Sequence, residues 1–144
     1  MITLKYSEIA NHGFNEAVKR LAASHTHGSL ASQILKTVRL LTAAHKEMGK
    51  AFDEEITSVF AEKDADGKLV PFMNEYGFKI VEGKEEELKA AKKDLDSRTV
   101  SLDVPSLTSQ NFNDIPGFHV SAAELDALGN LYADNVQKPD LKVV

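Results

Sequence analysis

The sequence predicts a mostly helical α+β fold: a helical hairpin with one long helix, about residues 30–63, beside a small β-sheet of short strands. Three observations predict it. Apolar residues step by threes and fours from Leu30 to Val59. Apolar and polar residues alternate at Ile2–Tyr6 and again at Val100–Val104. The segments between carry helix starts and stops, of which Ser121-Ala-Ala-Glu124 has the form of a capping box.

Taken in order, Ile2, Leu4 and Tyr6 alternate with Thr3 and Lys5, a short strand. Ser7 and Glu8 open a helix to about Ala23, with Ile9, Phe14, Val18, Leu21 and Ala22 on one side. This helix is expected to pack antiparallel on the first half of the long one. The loop SHTHGS, residues 24–29, breaks the pattern, and Ser29 is placed to cap the long helix. That helix carries the strongest signal in the chain. Leu30, Ile34, Val38, Leu41, Met48, Phe52, Ile56 and Val59 form one stripe, with His45 filling its gap and Leu35 and Phe60 widening it. Such a helix is roughly 50 Å long at 1.5 Å per residue. It cannot bury that stripe alone, so the eight residues are read as an interaction surface. His45 is expected as a partly buried packing residue with a hydrogen-bond partner.

Asp64, Asp66 and Gly67 end the helix, and Pro71 forbids its return. Phe78, Ile80 and Val81 suggest a strand. KEEELKAAKKDLD, residues 84–96, is a helix with its glutamates early and its lysines late, which suits the helix dipole. Val100, Leu102 and Val104 give a strand ending at Pro105. The three short strands are expected to form one sheet. Residues 106–117 read as turn-rich, and Leu125, Leu128 and Leu131 or Tyr132 line a last short helix. Residues 1–135 are expected to be a single domain, with 136–144 as a flexible tail.

Composition narrows the functions. The 144 residues include 22 Asp and Glu against 17 Lys and Arg, for a formal charge of −5, which argues against a nucleic-acid binder. Cysteine is absent, which removes disulfides, thiolate nucleophiles and cysteine metal sites. No run approaches the ~18 apolar residues of a membrane span. The opening MITLKYSEIANHG lacks the pattern of a secretion signal, so a cytoplasmic protein is expected.

EKDADGK, residues 62–68, starts like a calcium loop, with Glu62, Asp64 and Asp66 at alternate positions before Gly67. The twelfth position, where a bidentate Glu closes such a loop, is Met73, and Pro71 interrupts the wrap. The stretch therefore reads as a helix stop and an Asp-Gly turn. His25 and His27 form an H-x-H pair with no third ligand in sequence, and read as a solvated loop. Neither a glycine elbow around a serine nor a phosphate-cradling glycine loop occurs. No catalytic residue, metal or cofactor is assigned.

The order of ITLKY, SQILKTVRLLTAAHKEM, FAEKDADGKLV, EGKEEELKAAKKDLD, TVSLDVPSL and VSAAELDALGNL resembles a family of small tailed-bacteriophage proteins of unknown function, often encoded among virion structural genes. The resemblance covers about residues 2–132. The SHTHGS loop and the C-terminal tail fall outside its features. It implies a viral protein, in the host cytoplasm or the virion, that acts by protein–protein contacts, and it assigns no functional residues. The expected role is non-enzymatic: a minor virion component or assembly factor, bound to another copy of itself or to another phage protein. A phage-encoded inhibitor of a host protein is the alternative. An oligomeric small-molecule binder, with His25, His27, Lys36 or Arg39 facing an anionic group, is the third.

Overall fold

Ile2 and Leu4 are buried while Thr3 and Lys5 face out, and the partner strand repeats the pattern at its inward Leu102. The strands β1 (Ile2–Lys5) and β2 (Thr99–Leu102) pair antiparallel, with Ile2 opposite Leu102 and Leu4 opposite Val100. They form the one two-stranded sheet among the described residues, which are 1–136 of this computed structural model. The remaining elements are helical: α1 (Tyr6–Ala10), α2 (His12–Ala22), α3 (Gly28–Phe52), a π turn (Asp53–Thr57), α4 (Ser58–Phe60), α5 (Glu85–Ser97), α6 (Ser109–Asn113), α7 (Ala122–Ala127), a 3-10 turn (Gly129–Leu131) and α8 (Ala133–Val136). The fold is thus mostly helical α+β, with a long helix running from Gly28 to Phe60 through the π turn and a small antiparallel sheet. The expected tail lies, from residue 137 on, outside the described residues.

The chain divides into two compact units. Among the described residues, one holds 1–45 and 99–136; the other is Lys46–Arg98. In the first, Leu4, Ile9, Phe14, Leu102 and Leu131 are almost fully buried. Each such side chain contributes about 1.5–3 kcal/mol by leaving water. Helices α2 and α3 run antiparallel. Asn15 near the start of α2 meets His45, its Oδ1 3.1 Å from the His45 Nε2, while Leu21 and Ala22 at the other end line a cleft with Ile34, Leu35 and Val38. Thr37, buried on α3, donates to the Gln33 carbonyl at 2.9 Å and so leaves no unmade bond there.

The second unit has a smaller apolar centre: Ile56, Phe60, Ala61, Phe78, Leu88 and Leu95. Its loops are tied by a closed ring of three backbone bonds. The Glu62 N–H donates to the Lys79 carbonyl (2.8 Å), the Lys79 N–H to Val70 (2.8 Å), and the Val70 N–H to Glu62 (3.1 Å). This ring takes up the backbone of Lys79, and the Val81 N–H donates to the Phe60 carbonyl (2.8 Å), so residues 78–81 do not join the sheet as the sequence suggests. They bridge Ala61 and Pro71 instead.

Three other expectations change. The single first helix is two, because Asn11 leaves the helical region (ψ 131°) and its side chain accepts from the Phe14 N–H, starting a new helix. Helix α3 begins at Gly28, so Ser29 sits inside its first turn instead of capping it. Residues 109–113, expected as turns, form α6. Thr108 accepts from the Asn111 N–H while Asn111 accepts from Thr108, a reciprocal cap that sets Phe112 and Ile115 into the core. The capping box at Ser121 and Glu124 forms as its spacing predicts.

Candidate interaction surface

The eight stripe residues divide. Leu30, Ile34, Leu41 and Ile56 are buried by their own chain. Val38, Met48 and Phe52 are half-buried, and Phe52 stacks on Tyr76 with ring centres 6.4 Å apart. Val59 alone is exposed, at 59%. The stripe is therefore mainly the inner face of the long helix, and the residues that bury it come from the same chain. A surface open to other molecules must be sought elsewhere.

It is found in the second unit. Leu69 is 42% exposed, Phe72 55% and Met73 100%, all within one five-residue stretch. The stretch is held in place on both sides. Asp64 accepts backbone N–H bonds from Asp66 (2.9 Å) and Lys68 (3.0 Å), and Gly67 takes the left-handed conformation (φ 77°) that glycine adopts at no steric cost. On the far side Asn74 accepts from the Tyr76 and Gly77 N–H groups at 3.0 and 2.8 Å. EKDADGK is thus a built turn whose first aspartate is engaged with its own backbone. Among the described residues, no group of three or more His, Asp or Glu is arranged to hold a metal ion.

The sequence carried a signal for this surface that the helical stripe obscured. Leu69-Val70-Pro71-Phe72-Met73 is a run of five apolar residues between two turns. In an extended segment alternate side chains point opposite ways, so such a run cannot face inward throughout. Val70 is half-buried; Leu69, Phe72 and Met73 are left outside.

The unit is also acidic. Lys46–Arg98 holds 14 Asp and Glu against 10 Lys and Arg, which accounts for −4 of the chain's −5. Its principal ion pair is bidentate: Arg98 reaches both Glu55 carboxylate oxygens and also Asp94 at 3.2 Å. The Arg98 guanidinium, by its hydrogen bond first, holds the Glu55 carboxyl below its usual value of 4.5. Burial, reinforced by neighbouring Glu75, pushes the Tyr76 hydroxyl above its usual 10.

In the first unit, an open groove of about 590 Å³ lies between α2 and α7, floored by Ala17, Ala23, Ala123 and Ala127. Its arginine is already committed. Arg20 donates to Glu124 at 2.7 and 3.1 Å and to the His119 carbonyl, and its guanidinium lies 4.2 Å over the Phe118 ring. Arg20 thereby lowers the Glu124 carboxyl, which the Ser121 cap lowers further. His25, His27, Lys36 and Arg39 are all exposed. His45 has the partner expected of it, Asn15, but it is exposed and not part of the packed face.

Comparison with protein-family models, with curated proteins and with solved structures finds no match to this chain. No helix among the described residues is long and apolar enough to cross a membrane.

Proposed function

We propose that this protein acts without catalysis, by contact with another protein through the exposed apolar stretch Leu69–Met73. One observation carries the reading: a fully exposed methionine beside a half-exposed phenylalanine, on a stretch pinned by turns at both ends. Apolar groups fixed in water gain from being covered, at roughly 25 cal/mol per Å² buried. A pinned stretch loses little conformational entropy on docking.

The charge of the unit selects the kind of partner. A second copy would bring two acidic units together, and an anionic membrane or a nucleic acid would be repelled likewise. The fitting partner is a different protein, with an apolar pocket rimmed by lysine and arginine. With the resemblance to tailed-phage proteins, this favours a minor virion component or an assembly factor that docks on another phage protein.

Affinity capture from cells making the virus, with wild type and with Phe72→Ser/Met73→Ser, tests it. One stoichiometric phage partner, lost in the double variant and weakened by salt, is expected. A host partner lost in the same variant points to the inhibitor role. A partner retained by the variant removes this surface from the account. Mass spectrometry of purified virions then separates the two phage roles: presence marks a virion component, absence an assembly factor.

A further inference from the structure

The helical run from Gly28 to Phe60 changes register at the π turn. The Ser58 N–H donates to the Asp53 carbonyl, five residues back instead of four. A π turn adds one residue to a helix. Every position after it takes the place its predecessor would hold in a continuous α-helix, a rotation of about 100°. Adjacent apolar residues come directly after the turn. The stripe of an unbroken α-helix calls for Val59 on the inner face, yet Val59 is 59% exposed and Phe60 is 6% exposed. Phe60 occupies the slot of Val59.

We infer that residues 53–60 are a two-register element, in which the π register buries Phe60 and the α register would bury Val59 and turn Phe60 outward. Two features hold the observed register. The larger side chain fills the core slot, beside a fully buried Ile56. Glu55, inside the π turn, is held by the two-pronged bond to Arg98 at the end of α5. Relaxation to the α register would carry Glu55 away from Arg98 and add an aromatic side chain to the exposed apolar surface of this unit. The element is thus a conformational device: its register sets how much apolar surface the unit presents. The inference does not depend on the docking reading, and either can fail alone.

Exchanging the two side chains tests it, in the full chain, as Val59→Phe/Phe60→Val. The expected result is a regular α pattern of amide contacts by NMR through 53–57, with the introduced phenyl ring buried. Persistence of the π turn overturns the inference. Deleting the exposed Glu54 provides a second test, because it removes the extra residue while leaving Phe60 in its slot. The deletion variant should fold with Phe60 buried and residues 53–60 continuously α-helical; if both variants fail to fold, the two-register account is wrong. Arg98→Gln should raise hydrogen exchange at 56–60 about two- to five-fold, the effect of losing a partly exposed ion pair. Unchanged exchange there removes Arg98 as the latch.

Discussion

Two units of one chain reach the folded state in different ways. The unit of residues 1–45 and 99–136 is built from paired strands and capped helices, and its apolar residues mainly serve its core. Apart from Met1 and Leu35, its large hydrophobic side chains among the described residues are buried or half-buried. The Lys46–Arg98 unit is tied by isolated backbone bridges and a ring of three bonds, and it leaves Val59, Leu69, Phe72 and Met73 in water. It also carries most of the net charge. The exposed apolar residues of the second unit are thus the ones on which the proposed docking rests, since apolar exposure that does nothing for the fold is a feature of interaction sites.

The contrast can be broken first at the cores. Phe14→Ala, in the first unit, should cost about 3–5 kcal/mol, and Ile56→Ala, in the second, about 2–5 kcal/mol, both read by chemical denaturation. A loss under 1 kcal/mol at Ile56 would show that the second unit has no fixed core. Next in size is the cap: Ser121→Ala removes the acceptor for the Glu124 N–H and should cost about 1 kcal/mol.

Acid should then affect both units in one direction. Glu55 and Glu124 are each held below 4.5 by an arginine. Their pairing contributes fully above that value and is lost as pH falls through the lowered folded-state values. Denaturation midpoints should therefore decline below about pH 4.5, and Arg98→Gln should flatten part of the decline. An unchanged profile in that variant would remove the pair from the stability of its unit. Smallest of all is Met73→Ser, expected within about 0.5 kcal/mol of wild type, because nothing in the fold covers that side chain. A larger loss would mean that Met73 serves the fold and not a partner.

Much of the scaffold is legible in the sequence, because local chemistry decides it. The alternation at Ile2–Lys5 and Thr99–Leu102 places those strands, and the spacing of Ser121 and Glu124 places α7. The stripe on residues 30–59 is legible as a helix face, but not as a buried one. Periodicity tells which residues share a side and says nothing of what lies opposite. Asn11 splits the first helix by a side-chain cap that competes with a continuous apolar pattern. At α6 the signal was Thr108 and Asn111 at capping distance ahead of Phe112 and Ile115, set in a polar segment that reads as turns. The π turn has no mark in residue type, and it decides that Phe60 and not Val59 goes inside. The candidate surface was hardest to see, since Leu69–Met73 is too short for a period and only the turns around it show that Phe72 and Met73 stay out.

The central claim is that Leu69–Met73 is where this protein meets its partner. A photo-crosslinking amino acid at position 73, against a control at the exposed Thr42 of the first unit, tests it most directly in the cells that produce the protein. The account predicts a crosslink from position 73 to one protein other than itself, and none to that protein from position 42. Crosslinks from position 73 to copies of the same chain alone, or the same products from both positions, would contradict it.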